Sequence, residues 1–114
     1  MLEQVKSSEF FGMRASDVLR KYKHAFIERF KKLANENIAS NLRIVGSVSA
    51  GTDNLHSDID FLVKVEKDDM QTWNKLQEVL SEWIDFPIHI IMETDEKLLP
   101  ECILFQSIPI EKWN

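Results

Sequence analysis

GSVSAGTDNLHSDIDFLV, Gly46 to Val63, decides how this chain is read. A run of small residues leads into two aspartates that are separated by one apolar residue and open an apolar run. In a strand, side chains at i and i+2 share a face, so Asp58 and Asp60 stand side by side while Ile59 and Phe61 turn into the opposite layer. Two carboxylates that close repel each other unless a cation lies between them. Mg2+ suits such a pair, because it takes one or two carboxylates and fills its other positions with water and phosphate oxygens. Upstream, Gly46 lets a ligand approach the backbone closely, and Ser47 offers a hydroxyl and an N–H to a phosphate. A surface hairpin with two solvated aspartates is the plain alternative. Gly-Ser closing one strand, ten residues of loop, and D-x-D opening the next strand inside an apolar run weigh against it.

Working outward, "NLRIVGS" reads as a strand over Leu42–Val45 stopped by Gly46, and "DIDFLVKV" as a second strand rich in β-branched and aromatic residues. The turn formers Gly51, Asp53, Asn54 and Ser57 occupy the connection. Before it, Leu19, Tyr22, Phe26, Phe30 and Leu33 recur at steps of three and four, which predicts an amphipathic helix with Ser16 as its N-cap. After it, Met70, Trp73, Leu76, Leu80 and Trp83 form a second helical stripe, with Asp68 and Asp69 at its N-terminal end. "PIHIIM" reads as a third strand, "EKLLPECILFQ" as a short closing helix with Pro100 in its first turn, and "SIPIEKWN" as an extended tail that docks on the core or on a partner. The order helix, strand, strand, helix, strand, short helix predicts one α/β or α+β domain over residues 1–114, a small mixed sheet flanked by helices.

Composition narrows the function. The chain has 114 residues, 44% hydrophobic and 29% charged, which is enough for one core and unlike a disordered polymer. No apolar run reaches membrane-spanning length and the first residues lack a continuous apolar signal segment, so a cytoplasmic protein away from membranes is expected. A net charge of −5 argues against a broad grip on duplex nucleic acid, and the lysines and arginines of the first helix read as a solvated face. The lone Cys102 has no partner for a disulfide and no zinc-ligand spacing; it reads as a small buried side chain. The connection matches no P-loop, dinucleotide fingerprint or EF-hand.

Gly46, Ser47, Asp58 and Asp60, in the order Gly-Ser, ten residues, D-x-D, resemble the minimal nucleotidyltransferases (MNT) of the polymerase-beta-like superfamily. The resemblance covers nearly the whole chain: a leading helix, "RIVGSVSAG", "SDIDFLVKVE", a middle helix, "PIHIIM" and "ILFQSIPI" follow that family's order. It implies the polymerase-beta-like fold, divalent metal on Asp58 and Asp60, nucleotide contacts from Gly46, Ser47 and Ser57, and ATP with Mg2+ as donor and cofactor. It also implies transfer of a nucleoside monophosphate to an acceptor hydroxyl with loss of pyrophosphate. Family members this small pair with a HEPN-domain ribonuclease toxin, and the resemblance implies an antitoxin that adenylylates a tyrosine of such a partner within a hetero-oligomer.

Two positions depart from the family pattern. Ala50 replaces an arginine before the last glycine of the loop, removing a cation able to meet phosphate. His89 stands where the family places its third carboxylate. Read alone, a histidine on an apolar strand is a hydrogen-bonded core residue; opposite the D-x-D strand it becomes a general base or a metal ligand. These departures motivate one alternative, a non-catalytic module that neutralises its partner by covering it; a further alternative is a transferase for a small-molecule acceptor, whose acceptor-binding domain a partner subunit would have to supply. Asp85 reads as a capping or surface residue and His56 as solvent-exposed.

Overall fold

The structure, a computed structural model, describes residues 4–94 and 106–114. It is an α+β arrangement in which a four-stranded mixed sheet, in the order β3-β2-β1-β4, packs against helices. Its elements are α1 (Ala15–Asn35), β1 (Ala39–Val45), α2 (Gly46–Ala50), β2 (Ile59–Val65), α3 (Met70–Leu76), β3 (Ile88–Glu93) and β4 (Ile108–Pro109). Both β2 and β4 run antiparallel to β1, whereas β2 and β3 are parallel. A parallel pair needs a crossover, and α3, continued by one π-helical turn over Gln77–Ser81, supplies it.

Alternation along β2 sorts its side chains as the sequence demands. Ile59, Phe61, Val63 and Val65 enter the core beneath α1, where Val18, Leu19, Phe26 and Leu33 are buried. Phe26 lies edge-on to both Phe61, at 5.1 Å between ring centroids, and Trp83, at 4.9 Å. That triad binds α1 to the central strand and to the end of the crossover, a geometry worth about 0.5–1.5 kcal/mol per ring pair beyond area burial. Asp60 falls on the opposite parity and is kept out of this core.

Four local expectations need correction. Helix α1 starts at Ala15 with Arg14 as the flanking residue, so Ser16 is not the N-cap but a buried residue of the first turn. Strand β1 begins at Ala39 rather than Leu42, and the connection after it opens as the short helix α2. Met70, placed in the apolar stripe by its spacing, is 70% exposed because α3 begins there, before the stripe reaches the core. The tail is not simply extended: after β4 it turns through a 3-10 segment, Ile110–Lys112, and buries Ile110 and Trp113 against the core. Asp69 does cap α3, its Oδ1 accepting from the Thr72 N–H at 2.8 Å. The expected closing helix, apart from its last residue Gln106, and Cys102 lie outside the described residues. No helix among the described residues is long and apolar enough to cross a membrane.

Candidate metal centre

Strand register builds the site. Asp60 pairs with Val45 on one side and with His89 on the other. Directly paired residues project from the same face, so the parallel pairing sets the His89 imidazole beside the Asp60 carboxylate. Nδ1 of His89 lies 3.3 Å from Oδ1 of Asp60. Asp58 sits one residue before β2, where the Ile59 N–H donates to the Pro87 carbonyl at 3.1 Å and extends the pairing to that end. One donor atom each from Asp58, Asp60 and His89 falls within 4.8 Å of the others.

Gly46 clears the space. It follows Val45 directly, adopts φ +74°, and a Cβ there would run into Oδ2 of Asp60 and lie 3.1 Å from its Cγ. Glycine is needed twice at this position, for the left-handed backbone and for the missing side chain. Ser47, half-buried at the start of α2, follows at once.

Electrostatics set the three donors in tension. Burial first, and the Asp58 charge second, push the Asp60 carboxyl above the ordinary carboxylate range, while His89 pulls it back down. Asp60 has 19% of its side chain exposed and His89 59%, so the set opens outward from a partly dry base. Two carboxylates and an imidazole converging on one point, with the neighbouring Cβ deleted, fit a divalent cation as the group that relieves their repulsion. A depression of about 500 Å³ lined by Ser40, Lys64, Glu66, Asp68 and Thr94 lies at the other end of β2, away from these donors.

The connection between Gly46 and Asp58 is held at several points. Gly51, also left-handed, ends α2, and the Thr52 N–H returns to the Ser47 carbonyl at 2.9 Å. Asn54 Oδ1 accepts from the His56 N–H at 2.8 Å, and the Ser57 hydroxyl accepts from the Asn54 N–H at 2.9 Å. Ser57, expected at the nucleotide, thus has its hydroxyl engaged in closing the loop. His56 and Asp85 are exposed, as their sequence context suggested.

Sequence reading missed Asp53. Its Oδ2 accepts from the Ser16 N–H at 2.8 Å, across 37 residues, and caps a helix whose own flanking residue, Arg14, has no oxygen to offer. Partial burial pushes the Asp53 carboxyl up, but its hydrogen bonds from Ser16 outweigh that, and the group sits below the ordinary range. No local signal could have found it, because the Ser16 hydroxyl offered a nearer cap and Asp53 lies 37 residues away. The bond ties the loop that delivers Asp58 to the N-terminus of α1.

Asp58, Asp60, His89 and Gly46 therefore come together as the sequence suggested, with Ser47 adjacent and Ser57 turned to the loop. No known family model, curated protein or solved structure matches this chain.

Proposed function

We propose that this chain is a metal-dependent nucleotidyltransferase that moves AMP, or another nucleoside monophosphate, from a nucleoside triphosphate to a hydroxyl of a partner protein. The observation that carries it is the convergence of Asp58, Asp60 and His89 beside a glycine whose missing Cβ makes room for Asp60. The sequence resemblance to the minimal nucleotidyltransferases supports the same reading. Asp58 and Asp60 would hold a divalent ion, which would supply charge neutralisation for the phosphates.

The chain's own residues do the rest by position. The Gly46-Ser47 turn lies at the end of β1, next to the carboxylates, and is where the triphosphate rests. An acceptor hydroxyl oxygen bonds to the α-phosphorus as the bond from that phosphorus to the bridging oxygen breaks, and pyrophosphate leaves with that oxygen. The hydroxyl proton leaves to water at the open side of the site, since both carboxylates are engaged with the ion. Because the donor set opens outward, the acceptor can be a side chain on a macromolecule. The resemblance points to a tyrosine of a HEPN-type ribonuclease toxin, with this chain as antitoxin, ATP as donor and a cytoplasmic setting.

His89 in the third-carboxylate position favours a second reading, a binding module that neutralises its partner without chemistry. Intact-mass analysis of the partner after co-incubation with ATP separates the two. The first reading expects one added nucleotidyl group, lost with Asp58→Asn or Asp60→Asn. An unmodified partner that is still neutralised by a protein carrying alanine at both aspartates would establish the second.

A further inference from the structure

We propose that His89 is itself a ligand, through Nδ1, of the ion held by Asp58 and Asp60, and that this set prefers Mn2+, Co2+ or Zn2+ to Mg2+. The inference rests on the nucleotidyltransferase reading of the site and deepens it by naming the ion. Two donors about 2.1 Å from a common ion stand about 3.0 Å apart in neighbouring positions of an octahedron and about 4.2 Å apart in opposite ones. The 3.3 Å between His89 Nδ1 and Asp60 Oδ1 already matches a neighbouring pair. The full set, within 4.8 Å, closes onto one ion with a small movement of side chains. Asp60 and His89 come from paired positions of adjacent strands, so their separation is fixed by the sheet rather than by a loop.

Ligand chemistry then decides the metal. Mg2+ takes oxygen donors in a strict octahedron, whereas an imidazole suits the later first-row ions, and Mn2+ accepts carboxylates and imidazole together. A third carboxylate at position 89 would add negative charge for Mg2+; a neutral nitrogen adds softness instead. The competing arrangement is an ion pair, in which a protonated His89 faces Asp60 and takes the cation's place. The two arrangements make opposite forecasts, because a ligand's removal weakens metal binding while removal of a competing cation strengthens it.

The test uses the metal-free full chain titrated with Mn2+ by electron paramagnetic resonance, with Co2+ by its visible absorption, and with Mg2+ by competition against Mn2+. His89 is exposed enough for substitution to leave the fold intact, which circular dichroism verifies. His89→Ala is expected to weaken Mn2+ and Co2+ by at least about tenfold, the scale seen even when residues behind a ligand are lost, with Mg2+ little changed. His89→Asp is expected to raise Mg2+ affinity and shrink the Mn2+ to Mg2+ ratio. An unchanged ratio, or tighter Mn2+ binding in His89→Ala, overturns the proposal. If Asp58→Asn and Asp60→Asn abolish binding while His89→Ala does not, the imidazole ligand is refuted and the carboxylate site stands. If Mn2+ fails to bind the wild-type chain, both readings fall.

Discussion

The carboxylate of Asp60 occupies the space into which a side chain on Gly46 would project. One residue supplies the charge and the other, by having no Cβ, admits it. Gly46→Ala forces a non-glycine residue to φ +74° and displaces Asp60. We expect a stability loss of about 1–2 kcal/mol from the backbone alone, read by urea unfolding, together with a large loss of Mn2+ affinity. A variant with wild-type affinity would show that the close approach is not needed.

Asp53 caps α1 from a distant loop, and the cap has a measurable strength. Asp53→Ala should destabilise the protein by about 1 kcal/mol, and Asp53→Asn, which keeps an acceptor oxygen, should recover most of it. The pH dependence follows from a carboxyl held below its unfolded value: the stabilisation is fully present above the ordinary carboxylate range and is lost as pH falls through the lowered value. Hydrogen exchange at the Ser16 amide reports the cap directly, and protection unchanged by Asp53→Ala would refute it.

Asp60 behaves in the opposite sense. Its carboxyl is raised in the folded state, so folding is penalised as pH rises from the unfolded value through the folded one, and the penalty is constant above that. Without metal, Asp60→Asn should therefore raise the melting temperature at neutral pH and leave it nearly unchanged in acid. Metal should stabilise the wild type and not the variant. A lower neutral melting temperature for Asp60→Asn would mean that the His89 contact outweighs burial and the Asp58 charge.

Phe26 joins α1 to Phe61 and Trp83 and is fully buried. Truncation to alanine should cost about 3–5 kcal/mol, enough to threaten folding, as measured by chemical denaturation. A loss near zero would place the weight of the core elsewhere.

How much of this was legible in the sequence depends on the range of the interaction. Period-two alternation suffices to put Asp58 and Asp60 on the face opposite Ile59 and Phe61, and helical spacing suffices for Leu19, Phe26 and Leu33. The juxtaposition of His89 with Asp60 is a property of the β2–β3 register, which no local pattern shows; only the family resemblance, which sets His89 at its third-carboxylate position, pointed to it. The cap on α1 was misread at Ser16 because the nearest hydroxyl was taken for the acceptor, whereas the oxygen comes from Asp53. Helix α2 carries no periodicity to read: five residues rich in small side chains bend back only because Gly46 and Gly51 admit left-handed turns at either end. Met70 fits the stripe by spacing alone, but a first-turn residue need not reach the core.

The most direct test of the proposed transfer incubates the chain and the product of the neighbouring reading frame, as candidate acceptor, with ATP labelled at the α-phosphate and, in parallel, at the γ-phosphate, with Mn2+ or Mg2+ present. Label is expected on the partner from the α-position alone, with pyrophosphate released, and both signals should be lost with Asp58→Asn or Asp60→Asn. Absence of α-label transfer with either metal, or transfer that survives both substitutions, would contradict it.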